Sequence, residues 1–241
     1  MATGALSAQN SVDSQGRKTG AWKAEYPDGQ KRYEGTFREG KPMGTMTRYY
    51  KNGNKQALLE YPPQGNRVDA TLFHENGRQA AVGIYLGREK DSLWSYYSST
   101  DETLRMTEYY VDGKLHGLSQ RYYPEGKLSE EVHWSAGLKE GPWKQFFGDG
   151  SIRLQANFQN DLLEGEYRVY YRTDLLMMEG LFLKDRSEGI WNYYDEEGEL
   201  LYSLEYRNGR PVDGEEYRKL MEENMIPADT ISRPGETEPM F

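Results

Sequence analysis

Gly141-Pro142-Trp143-Lys144-Gln145-Phe146-Phe147-Gly148-Asp149-Gly150 is one copy of a pattern that runs through most of the chain. The pattern is Gly-x-Trp-x-x-Aro-Aro-x-Asp/Asn-Gly, then a Glu-rich stretch ending in an aromatic residue, then a second glycine. It recurs from Gly20 to about Gly214, and its clearest copies begin at Gly20, Gly44, Gly117, Gly141, Gly165 and Gly189. Three columns keep the same beat of about 24 residues, the mark of a repeat architecture. Tyr49, Phe73, Tyr97, Tyr122, Phe146, Tyr170 and Tyr194 form one, and Phe37, Tyr61, Tyr85, Tyr110, Trp134, Phe158, Phe182 and Tyr206 form the second. The third is Gly29, Gly53, Gly77, Gly126, Gly150 and Gly198, with Glu102 near one vacant slot and Asp174 in the other. One extra residue falls between 98 and 110, and the copies near Val68 and Ser92 lack the leading glycine.

Each copy reads as a β-hairpin. A Tyr-rich segment runs into Asp28-Gly29, Asn52-Gly53, Asn76-Gly77 or Asp149-Gly150, dipeptides that supply the positive φ of a tight turn, here expected to hold two residues. The second gap, as at Glu39-Gly40 or Asn208-Gly209, turns the chain into the next hairpin, so consecutive strands form an antiparallel meander. Such turns pair Trp143 with Ala156, Trp22 with Gly35 and Tyr167 with Gly180, so large rings meet small partners. Alternation puts these rings on the face of the Phe37 to Tyr206 column, the expected core face. The Tyr49 to Tyr194 column then lies on the opposite, more polar face.

Composition agrees. The chain has 241 residues, more than one ordinary core holds, and only 36% are hydrophobic, yet it contains 20 Tyr, 5 Trp and 26 Gly. Aromatic rings between tight turns must supply the buried area. A net charge of -9 repels nucleic acid, and the absence of cysteine removes disulfides, thiolate chemistry and zinc–sulfur sites. No run of 18 apolar residues offers a transmembrane helix.

From Gly20 to Gly214 the chain resembles the MORN repeat proteins, specifically the bacterial MORN-variant repeats. The residues that carry the likeness are Gly141-Pro142-Trp143, Gly189-Ile190-Trp191, Tyr49-Tyr50-Lys51-Asn52-Gly53 and Glu34-Gly35-Thr36-Phe37. The resemblance implies an all-β, elongated single-layer meander of about eight stacked hairpins. It also implies a binding role toward proteins or, peripherally, membranes; bacterial variants are often labelled antitoxin-like.

The expected organisation is an N-terminal tail over 1–19, the repeat array over 20–214, and a short cap helix with a flexible tail over 215–241. In the helix, Glu215 to Met225, Tyr217, Leu220 and Met221 share one side until Pro227 stops it. Leu6-Ser7-Ala8 resembles the end of a secretory signal, from which a periplasmic, outer-membrane-associated or secreted location is expected, the alternative being cytoplasmic.

No chemistry-bearing motif emerges. His74, His116 and His133 lack metal-ligand spacing, and no nucleophile elbow or phosphate-binding loop is present. Acidic runs such as Asp195-Glu196-Glu197 fall at turns, where solvated charge is the default. Neither catalysis, metal nor cofactor is expected. The partner-binding candidates are Tyr49, Phe73, Tyr97, Tyr122, Phe146, Tyr170 and Tyr194, a ladder of rings suited to a protein partner or to stacking on sugars. The leading expectation is a non-enzymatic interaction scaffold at the bacterial envelope; the alternatives are a cytoplasmic antitoxin-like regulator and a carbohydrate-binding module.

Overall fold

A computed structural model describes residues 9–223 of the chain, and each reversal between its paired strands contains a residue with positive φ. The strands fall into two units, divided between His116 and Gly117. The first holds β1 Ser11–Val12, β2 Lys18–Glu25, β3 Lys31–Arg38, β4 Lys41–Tyr49, β5 Lys55–Tyr61, β6 Arg67–Phe73, β7 Gln79–Leu86, β8 Glu89–Tyr97, β9 Leu104–Val111 and β10 Lys114–Leu115. The second holds β11 Gly117–Tyr122, β12 Leu128–Ser135, β13 Leu138–Phe146, β14 Ile152–Gln159, β15 Leu162–Leu163, β16 Gly165–Tyr170, β17 Leu176–Leu183, β18 Arg186–Tyr194, β19 Leu200–Arg207, β20 Arg210–Pro211 and the helix α1 Gly214–Glu222. All pairings between neighbouring strands are antiparallel, and eight hairpins form among the described residues, four in each unit. Each unit is thus an all-β meander of repeat hairpins, as the 24-residue period requires.

The Asp-Gly turns depart from the expected two-residue form. Phe147 N–H donates to Ser151 O at 2.9 Å and Gly150 N–H to Phe147 O at 2.9 Å, with Gly150 alone in the left-handed region at φ 99°. This is a three-residue loop, a type I turn followed by a left-handed glycine. Asp149 keeps ordinary φ; its Oδ1 accepts the Ser151 N–H at 3.0 Å and so shapes the loop. The extra turn residue is cancelled one step later by a bulge: Phe146 faces Ile152 but Gln145 faces Leu154, leaving Arg153 over. Trp143 therefore still meets Ala156, and Trp22 meets Gly35 and Tyr167 meets Gly180 as expected. The two-residue primed turns lie at the other end of the strands, where Glu39-Gly40 and Asn208-Gly209 both hold positive φ. Glu102 and Asp174 do occupy the vacant glycine slots in left-handed conformation, and the extra residue is absorbed in the wider turn closed by Ser98 N–H to Thr103 O.

The leading glycine of each copy is likewise left-handed, as at Gly141 with φ 95°. Ser92 takes its place with φ 58°, whereas Val68 is extended and buried, and β5 pairs with β6 without any register shift. The two degenerate copies are therefore unlike: one keeps the bulge with a strained residue, the other loses it.

Each unit buries its own aromatic face. In the first, Phe37 and Trp94 join Met46, Leu59 and Val68, with Tyr61, Tyr85 and Tyr110 packed against them. In the second, Trp143, Phe158, Tyr167, Phe182 and Trp191 form the centre, with Trp134 and Tyr206 alongside. Every member of the Phe37 to Tyr206 column thus belongs to the core face. Asp213 caps α1 by accepting the N–H groups of Glu215 and Glu216, both at 3.0 Å, and the helix places Leu220 in the second core with Tyr217 beside it. The segments Met1–Ala8 and Asn224–Phe241, which contain the signal-like stretch, the end of the expected helix and the expected flexible tail, lie outside the described residues.

Candidate interaction surface

The seven ladder rings are all half-buried, and none belongs to either core. Alternation explains this: on β18, Trp191 and Tyr193 point into the core while Ile190, Asn192 and Tyr194 point away. The structure places these rings on the polar face, three of them in the first unit and four in the second.

Four of the ladder hydroxyls are used. Tyr194 donates to Glu179 Oε1 at 2.9 Å, Tyr170 to Gln155 Oε1 at 3.0 Å and Tyr122 to Gln120 Oε1 at 3.0 Å, while Tyr49 donates to Glu34. Lys31 Nζ sits 2.8 Å from Glu34 Oε2 and 5.0 Å from the centre of the Tyr49 ring. Lys31, and after it Tyr49, hold the Glu34 carboxyl below its ordinary value, while burial and the neighbouring carboxylate raise the Tyr49 phenol.

The ladder residues are also held through their backbone, by a column that the sequence reading did not single out. Tyr26, Tyr50, Tyr123 and Tyr171 donate to the carbonyls of Tyr49, Phe73, Phe146 and Tyr194 at 2.7 to 2.8 Å. His74 Nε2 makes the same contact with Tyr97 O at 2.9 Å. The signal was present in the doublets Tyr49-Tyr50, Tyr122-Tyr123 and Tyr170-Tyr171: the first ring of each joins the ladder and the second fixes the ladder residue of the next repeat. At the opposite ends of the strands, Asp161 and Asp185 accept the N–H groups of Lys139 and Leu163, each at 2.7 Å. Successive repeats are stitched on both margins, so the exposed rings are rigidly presented.

The core face also carries cations of its own. Lys90 Nζ lies 4.9 to 5.0 Å from the ring centres of Trp94, Tyr96 and Tyr110, and 2.7 Å from Tyr96 Oη. Burial lowers its basicity. Lys18 lies similarly over Trp22, Tyr33 and Phe37, and Lys139 over Trp134 and Phe158. These cages are filled by the chain's own side chains, whose stems complete the core.

The polar face carries shallow open depressions. One, about 390 Å³, lies on β5 to β8 of the first unit between Glu60, Asp69, Val82, Ile84 and Leu93. Another, about 280 Å³, lies on β16 to β18 among Glu166, Arg168, Glu179, Leu181, Ile190 and Asn192. His133 Nδ1 contacts Pro142 O at 3.1 Å. Asp195 Oδ1 accepts two backbone N–H groups of its own turn. Among the described residues no group of three or more His, Asp or Glu is placed to hold a metal ion, and no helix is long and apolar enough to cross a membrane.

The family model described as "MORN repeat variant" matches residues 18–39, 115–136, 139–160 and 187–208. No curated protein sequence matches the chain. Among solved structures, "Crystal Structure of TarM" is similar over 40% of this chain and 18% of that one, at 11% identity and a TM-score of 0.29. "Crystal structure of GtfA/B complex" is similar over 37% and 18%, at 12% identity and a TM-score of 0.27. The form "bound to UDP and GlcNAc" gives 45% and 21%, at 15% identity and a TM-score of 0.22. The chain spans about a fifth of the length of these proteins, and at such scores they carry no argument about it.

Proposed function

We propose that this chain, whose repeats are those of the MORN-variant family, is a non-enzymatic scaffold that binds a protein partner through the polar face of its hairpins. The observation that carries the proposal is the ladder itself: half-exposed rings in seven of the eight hairpins, fixed at the hydroxyl, the backbone or both and kept out of the core. Rigid aromatic side chains give large contact area at little loss of conformational entropy, which is what a protein interface rewards. Export to a bacterial envelope is part of the proposal and rests on Leu6-Ser7-Ala8 alone.

The test is crosslinking capture from the native host with the wild-type chain and with a Tyr122→Ala, Phe146→Ala, Tyr170→Ala variant. A partner that is reproducibly captured by the first and lost by the folded second supports the reading. Capture that survives all three changes removes the ladder from it. Addition of polysaccharides is expected to leave Tyr and Trp fluorescence unchanged.

A further inference from the structure

A position kept in every repeat serves the repeat; a run of neighbouring positions that breaks the pattern on one face needs another reason. Such a run lies on the polar face of the first unit. At the position filled by Glu34, Glu131, Gln155 and Glu179 in other hairpins, β5 and β7 carry Leu58 and Val82. At the position of Thr36, Asn157 and Glu205, β7 and β9 carry Ile84 and Tyr109, as β17 carries Leu181 in the second unit. Leu93 stands where Thr45 and Glu166 stand in two other copies, a position that is also apolar at Leu118 and Ile190.

These residues are brought together by register. Val82 faces Thr71 on one side and Ser95 on the other, Ile84 lies between Asp69 and Asp91, and Leu93 lies opposite Tyr109. Leu93 is 54% exposed and Tyr109 42%, so the two form an apolar patch open to solvent. A surface depression of about 390 Å³ follows the same strands, over the β5–β6 pair that has lost its bulge.

The rim fixes what can lie there. Glu60 stands directly opposite Asp69, an arrangement of like charges that destabilises a sheet, and Asp91 and Glu89 continue the acidic border. Arg67, on the same face, is taken up by Asp69 at 2.8 Å, and no cation lies within ion-pair distance of Glu60 or Asp91 among the described residues. A second copy docked face to face would bring the same carboxylates against themselves, because a two-fold interface repeats one patch on both sides. A segment carrying apolar side chains next to lysine or arginine relieves the repulsion and covers the exposed groups together.

We propose that the polar face of β5 to β9 is a docking groove for a polypeptide segment of mixed apolar and basic character, with Ile84, Leu93 and Tyr109 as its floor and Glu60, Asp69 and Asp91 as its acidic rim. This rests on the scaffold reading and names the partner's chemistry. Phe73 and Tyr97 of the ladder border the groove, following Thr71 and Ser95 on the same strand faces.

The experiment selects binders to the whole chain from displayed random peptides of about twelve residues, enough for an extended segment to cross the groove. The enriched peptides are expected to combine apolar residues with Lys or Arg. Their affinity should fall about tenfold or more on Leu93→Asp, and equally on Glu60→Lys with Asp69→Lys, while Ile190→Asp in the second unit leaves it unchanged. Circular dichroism melts of all variants check folding, and the charge-reversal pair keeps the test valid should Leu93→Asp fold poorly. Enrichment of acidic peptides, or binding indifferent to both groove variants, overturns the proposal. So does self-association of the wild type, or its binding to anionic phospholipid vesicles, that Leu93→Asp abolishes. Peptides lost on the Tyr122, Phe146, Tyr170 triple variant but not on Leu93→Asp defeat this groove and leave the scaffold standing; a selection that enriches nothing defeats both.

Discussion

The indole of Trp191 lies flat over Gly180, so near that a Cβ at that glycine would come within 2.2 Å of the ring. Gly83 lies under Trp94 in the same way, also at 2.2 Å. Gly180 and Gly83 are therefore spaces reserved for the tryptophan of the next strand, whereas a Cβ at Gly35, the equivalent position, would face Met46 at 3.2 Å. Gly180→Ala and Gly83→Ala are expected to lower stability by about 3 kcal/mol, at the upper end of overpacking costs. Gly148→Ala, with open space around it and ordinary φ, should be neutral or slightly stabilising. Urea unfolding of the three variants checks the contrast.

The leading position of the repeat offers a test of opposite sign. Ser92 holds φ 58° where six other copies use glycine, a conformation costly for a residue with a Cβ. Ser92→Gly should stabilise by about 0.5 kcal/mol, since relief of strain is partly offset by the lost Ser92 Oγ to Asp91 Oδ1 bond of 2.8 Å. Val68→Gly should destabilise instead, because Val68 is buried in a strand that needs no such angle. Melting temperatures of the two variants separate these outcomes.

Removing one inter-repeat hydroxyl isolates the stitching. Tyr171→Phe deletes the 2.8 Å bond to Tyr194 O and should cost about 1 kcal/mol. Amide hydrogen exchange should quicken around Asp195 to Gly198, the turn that this bond secures, and remain unchanged in the first unit.

Alkaline titration reads the aromatic cores. Burial raises the phenols of Tyr110 and Tyr202 to about 12, and those of Tyr96, Tyr167 and Tyr193 further in the same direction. An acid whose folded pKa lies above its unfolded value of 10 keeps its full contribution below pH 10 and loses it as pH rises through the folded value. Stability should therefore fall above pH 10, while Lys90 and Lys139, lowered by burial, act oppositely below their ordinary 10.5. Absorbance at the tyrosinate band should show the exposed phenols ionising first and the remainder only with unfolding.

Period, strand pairing and the two faces were legible in the sequence because each depends on spacing alone. Trp143 meets Ala156 whatever the turn, since the third loop residue and the Arg153 bulge offset one another. The turn type was not legible for the same reason: Asp149-Gly150 serves a two-residue or a three-residue loop, and only the hydrogen bonds of Phe147 decide. The ladder could be located but not ranked. Whether Tyr170 faces solvent or Gln155 depends on a side chain 15 residues away, and the apolar groove emerges only when Leu93, Ile84 and Tyr109 from three strands are laid side by side.

The bonds from Tyr26 to Tyr49, Tyr50 to Phe73 and Tyr171 to Tyr194 each span 23 residues, so no hairpin is tied to any but its immediate neighbours on that margin. A molecule built this way resists pulling one rung at a time. Held by its ends in a force experiment, it should lengthen in even jumps of about 80 Å, the contour of one 24-residue repeat at roughly 3.4 Å per residue, with the Val68 copy, lacking its bulge, yielding at a force of its own.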